Sequence, residues 1–115
     1  MNGNAKRHLV FFGDDFFEFY DKQTLKVRLR IDWTLDVVRT LDNIPEKYFK
    51  HIENTDLYEV RISSGSNIYR VFCFFDKGKL VVLLNAFQKK TQKTPKNEIE
   101  RALRLQKQYY HEQKK

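Results

Sequence analysis

Three strand-like runs follow one another with almost nothing between them: "LYEVRIS" (57 to 63), "IYRVFCFF" (68 to 75) and "KLVVLLNAFQ" (79 to 88). The linkers "SGSN" and "DKGK" are tight-turn compositions, so an antiparallel meander is the economical reading. Side chains alternate across a strand, and the pairing register therefore decides which residues share a face. A two-residue loop at Gly65-Ser66 sets Arg61 directly opposite Arg70. A second such loop at Lys77-Gly78 would set Arg70 against Asn85 and Ile68 against Phe87, with Lys89 continuing on that side.

On this register one face is wholly apolar or aromatic: Tyr58, Val60, Ile62, Tyr69, Val71, Cys73, Phe75, Leu80, Val82, Leu84 and Ala86. It needs a cover, and the N-terminal helices are the available one. The other face divides into an apolar end (Phe72, Phe74, Val81, Leu83), suited to the C-terminal helix, and a polar end (Glu59, Arg61, Arg70, Asn85, Lys89). Two cations directly opposite one another destabilise a sheet unless something offsets them. Either Glu59 neutralises one of them, or the pair is an anion site in which arginine forks grip phosphate oxygens and Lys89 and Lys90 add point charge.

Upstream, "RHLVFF" reads as a short strand, Gly13 as a turn, and Asp14 or Asp15 as a helix N-cap. Helix is expected from there to about Asn43, with a stripe of Leu25, Leu29, Trp33, Val37 and Leu41 widened by Leu35 and Val38. "LKVRLRI" also alternates with period two, but the four-residue stripe outlasts it. Pro45 to Asp56 reads as loop with a short helical turn. The last helix is expected after Thr94 as N-cap and Pro95 as N1, with Ile99, Ala102, Leu103, Gln106, Tyr109 and Tyr110 on one stripe and a frayed tail at 111–115.

The 115 residues suit one domain. No apolar run approaches the roughly 20 residues of a membrane span, and "MNGNAKRH" does not lead into a secretory signal. Cys73, alone, can form no internal disulfide, which fits a reducing cytoplasm. Charge is lopsided: residues 1–56 carry 9 Lys/Arg against 10 Asp/Glu, residues 57–115 carry 13 against 5. A one-sided basic excess suits RNA, DNA or an acidic protein. His8, His51 and His111 lack metal-ligand spacing, no cofactor motif is present, and Cys73 belongs to the core face rather than to a nucleophile site.

"LYEVRI", "YRVFCFF" and "LVVLLNAFQKKTQKTPKNEIERAL" together resemble the HigB-type toxins, the phage-derived branch of the RelE/ParE superfamily of toxin-antitoxin systems. The resemblance spans about residues 57 to 105; "FQKKTQKTPKNEIERA" is its most specific part, and the first half matches in layout alone. It implies an α+β, RelE-like fold: a small antiparallel sheet with N-terminal helices on one face and a C-terminal helix. It further implies an mRNA interferase that cleaves message in the ribosome without a cofactor or metal, partnered by a helix-turn-helix, HigA-like antitoxin. Carried onto this chain, the catalytic positions are Arg61, Arg70, Lys89 and Lys90, with Lys93, Lys96 and Asn85 expected to hold RNA. Several RelE relatives place a tyrosine or histidine after the last strand, whereas none occurs here between Phe87 and Tyr109. Two other readings stay open: a same-fold toxin acting on DNA gyrase, as in the ParE branch, and a non-catalytic RNA- or ribosome-binding module.

Overall fold

The computed structural model describes residues 5–114. Its elements run β1 (His8–Phe11), α1 (Asp15–Asp21), α2 (Leu25–Thr40), β2 (Phe49–His51), β3 (Leu57–Ser64), β4 (Asn67–Asp76), β5 (Leu80–Lys89) and α3 (Lys96–Gln113). The fold is α+β and consistent with the RelE-like expectation. The sheet has the order β1-β5-β4-β3-β2, and it is mixed: β2 to β5 are antiparallel, while β1 lies parallel to β5, with His8 beside Leu80 and Phe11 beside Leu83. The short β2 occupies a stretch expected to be loop.

The first hairpin has the expected register. Gly65 takes a left-handed φ of +61°, Ser64 pairs with Asn67, and Arg61 stands opposite Arg70. The second does not. Asp76 pairs with Leu80 across a three-residue loop in which Lys77 and Gly78 are both left-handed, which slips the pairing by one residue. Val81 and Leu83 consequently join Val60, Ile62, Tyr69, Val71 and Cys73 under α1 and α2; Val82 and Leu84 join Leu57, Phe72, Phe74 and Phe87 under α3. An irregularity between Val71 and Cys73 then adds a second residue of offset. Arg70 therefore faces Phe87 rather than Asn85, and Ile68 faces Lys89. With two slips the parity is restored, so Lys89 keeps the face of Arg70.

The expected single N-terminal helix is broken at Lys22–Thr24. Thr24 restarts it as α2, its side chain accepting from the Val27 amide at 3.3 Å. The buried stripe of α2 is Val27, Ile31, Thr34, Leu35 and Val38. The four-residue series expected to be core points outward: Leu25, Leu29 and Trp33 are 69%, 57% and 46% exposed. Both series have helical spacing, and they lie on nearly opposite sides of the helix. Full burial of a leucine contributes roughly 2 kcal/mol, so this outward series leaves appreciable hydrophobic free energy unspent. Arg7, just before β1, donates to the carbonyls of Val38, Leu41 and Asp42 and so closes the C-terminal end of α2.

α3 packs Ala102 and Tyr109 on the opposite face of the sheet. Its N-cap is Pro95, without a side-chain bond, so Thr94 does not cap it as expected. Instead Asn85 holds the first turn, its Nδ2 donating to the Glu98 carbonyl (3.1 Å) and to Glu98 Oε1 (3.0 Å). Arg101 pairs with Asp15 of α1. The helix continues through Gln113 into the segment expected to fray.

Near the far end, the Tyr109 hydroxyl donates to Asp76 Oδ2 at 2.7 Å. That bond, together with burial, pushes the phenol up to about 12 from 10.0. A raised phenol contributes stability that is complete below pH 10 and lost as pH rises through 12. Tyr109→Phe is expected to lower stability by about 1 kcal/mol at neutral pH. It should also flatten the decline between pH 10 and 12, as measured by urea denaturation across that range.

Candidate functional site

The chemistry-bearing residues meet at the open end of the sheet because β3, β4 and β5 run past the apolar packing of α3. Arg61 and Arg70 are cross-strand partners, and Glu59 lies two residues from Arg61 on the same face. Its carboxylate joins both: Oε2 is 3.3 Å from Arg61 Nε and Oε1 is 3.6 Å from Arg70 Nε. Glu59 and Arg70 are only 7% and 5% exposed. Arg61 is more open and also donates to the Glu46 carbonyl.

Arg70 is not fully satisfied. Its Nη1 donates to the Tyr69 carbonyl at 3.1 Å, whereas its buried Nε has no hydrogen-bond partner among the described residues. The 3.6 Å approach of Glu59 is a charge contact, too long for a hydrogen bond. Burial, opposed by Glu59 and reinforced by Arg61, lowers the guanidinium's affinity for its proton. The Lys89 ammonium is likewise lowered, first by burial and then by the Arg70 charge. A cationic cluster thus surrounds one carboxylate.

Clefts flank this cluster. One of about 360 Å³ is lined by Lys50, His51, Ile52, Glu53, Glu59 and Thr94. Another, of about 580 Å³, is lined by Ser66, Asn67, Ile68, Gln88, Lys89, Lys90, Thr91 and Gln92. Arg61 opens on a third with Arg30, Lys47, Tyr48 and Ser63. Lys50 pairs across the sheet with Glu59, and His51 with Tyr58.

Of the residues singled out in the sequence, Arg61, Arg70 and Lys89 are brought together and Lys90 lines the cleft beside them. Lys93 and Lys96 are exposed on the segment entering α3. Asn85 stands apart, buried against Glu98. Sequence reasoning assigned Glu59 to neutralising one arginine; it contacts both. Lys50 was missed because β2 lies inside a stretch that reads as loop; its neighbour His51 turns its ring to Tyr58 on the other face, with Nε2 2.6 Å from the Thr55 carbonyl. Cys73 is fully buried, and burial pushes its thiol up, which is core behaviour.

Compared with known families, residues 18–107 match the one described as phage derived protein Gp49-like (DUF891). The chain belongs to this Gp49-like family. The family is part of the RelE/ParE-like toxin superfamily. A search of curated proteins returned no match. The matched residues contain Glu59, Arg61, Arg70, Lys89 and Lys90, so every member of the cluster falls inside the Gp49-like region. No helix of the described residues is long and apolar enough to cross a membrane.

Neutralising the carboxylate leaves Arg70 as a buried, uncompensated charge. Glu59→Gln is therefore expected to destabilise the chain by about 2–3 kcal/mol in urea denaturation. Arg61→Gln, at a more solvated position, should cost under about 1 kcal/mol.

Proposed function

We propose that this chain is a HigB-type toxin: a ribosome-dependent mRNA endoribonuclease that inhibits translation in the cytoplasm and is held in check by a helix-turn-helix, HigA-like antitoxin. The observation that carries the reading is the Arg61–Arg70 pair, with the buried Arg70 Nε lacking a hydrogen-bond partner among the described residues and Lys89 on the same face. Cations held in place before charge develops suit the extra negative charge of a phosphorane-like transition state.

In this mechanism the 2'-hydroxyl oxygen attacks the adjacent phosphorus, the bond to the 5'-oxygen breaks, and a 2',3'-cyclic phosphate remains. No metal is needed, because the nucleophile belongs to the RNA. Arg61 and Arg70 grip the phosphate oxygens, and Glu59 keeps both forks aimed before substrate arrives. Lys89, whose ammonium is lowered by burial and by Arg70, accepts the proton of the 2'-hydroxyl. Lys50, directly opposite Glu59 on the same face of the sheet and lining the same cleft, is the candidate donor to the leaving oxygen. Lys90 adds charge beside the strand end, and Lys93 and Lys96 hold the RNA backbone.

Arg70→Ala and Lys89→Ala should each slow message cleavage in a translation system by about a hundredfold or more. Wild-type rates in both would sink the mechanism. Because a lowered lysine deprotonates earlier, cleavage should climb with pH and reach half its maximum below 10.5, a limb that Lys89→Ala removes.

A further inference from the structure

The exposed series on α2 is unexplained by the chemistry at the other end of the sheet. Leu25, Leu29 and Trp33 repeat every fourth residue and form a ridge along the helix. Beside it runs a groove of about 550 Å³ whose walls include Leu29, Trp33 and Arg30 and whose floor is the Ser63–Gly65 turn. Trp33 is held in place rather than loose: the Arg30 guanidinium lies 4.8 Å from its ring centroid, and Tyr48 meets it edge-on at 5.4 Å. A rigid, half-exposed tryptophan flanked by leucines has the make-up of an interface anchor.

The charges around the ridge select the occupant. Lys26 and Arg30 line the groove, and the groove's Arg30 end continues into the recess formed by Arg30, Lys47, Tyr48 and Arg61. The helix's own acids are engaged elsewhere: Asp32 accepts from the Tyr20 hydroxyl, and Asp36 from Arg39. A second copy of the chain, related by a two-fold axis, would bring these cations against themselves. RNA would satisfy the cations and leave two leucines with nothing to pack on.

We infer that the α2 ridge and its basic groove are a docking surface for an acidic amphipathic helix of another protein, with leucine-like residues on Leu25, Leu29 and Trp33 and carboxylates toward Lys26, Arg30 and the Arg61 recess. Docking there does not rest on the nuclease reading. One consequence does: a carboxylate seated in the recess lies beside Arg61 and withholds it from a phosphate.

The test uses the full chain and two fluorescein-labelled synthetic helices of about four turns, identical on their apolar stripe and carrying glutamate or lysine on the flanks. The glutamate peptide should bind at least tenfold more tightly than the lysine peptide, with an affinity that falls as salt rises. Trp33→Ala and the double variant Leu25→Ser/Leu29→Ser, both at exposed positions, should each weaken it about tenfold while the far-ultraviolet spectrum stays unchanged. Equal affinity for the two peptides, or unchanged affinity in both variants, overturns the inference. So does a wild-type dimer in sedimentation equilibrium that Trp33→Ala dissolves, because the occupant is then a second copy. Loss of affinity for a single-stranded oligoribonucleotide in Trp33→Ala, with peptide binding intact, overturns it in favour of RNA. A chain that binds the peptide but cleaves no message leaves the inference standing and defeats only the nuclease reading.

Discussion

One buried carboxylate makes the working end of this sheet possible. Without Glu59, the register of the first hairpin would force Arg61 and Arg70 into direct like-charge contact, with Arg70 almost wholly desolvated. With it, the two guanidiniums share a counter-ion that neither holds through a short hydrogen bond. The arrangement is stable enough to fold and loose enough to exchange. An incoming anion competes with a carboxylate for donors already in place, and the proton affinity of Lys89 is lowered first by burial and then by the same crowding of positive charge. Folding and chemistry thus place opposite demands on Glu59: it must compensate Arg70 and still yield a donor.

What the sequence made legible depended on loop length. The Gly65-Ser66 turn was readable because two residues close a hairpin in few ways, and the Arg61–Arg70 pairing followed. The second hairpin needs one residue more, and its left-handed Lys77 carries no compositional mark, so the faces of Val81 to Leu84 were exchanged. The added offset next to Val71 then returned Lys89 to the expected side. That part of the site was reached through two errors of equal parity rather than through a correct register.

The helix was harder for a different reason. α2 has two helical apolar series, and periodicity alone ranks them by neatness, which favoured Leu25, Leu29 and Trp33. The sheet instead takes Val27 and Ile31 together with the Leu35 and Val38 that the stripe did include, so the buried side lies nearly opposite Leu25, Leu29 and Trp33. Long-range pairings such as β1 on β5 leave no local trace, so a mixed sheet could not be told from an antiparallel one. The anion-binding half of the site was therefore visible in outline, whereas Lys50, delivered by a three-residue strand, was not.

The parallel pairing of β1 with β5 sets an order of events during synthesis. The first strand of this sheet to be made, His8–Phe11, finds its neighbour only when Leu80–Leu83 have been added, and until then it has no edge to join. The same strand leads from Arg7, which closes α2, and Asn85 of β5 supplies the grip on α3. Closure of both layers waits on one late strand, and Lys89 ends that strand. A nascent chain short of β5 thus lacks its completed sheet and the lysine of its candidate site together.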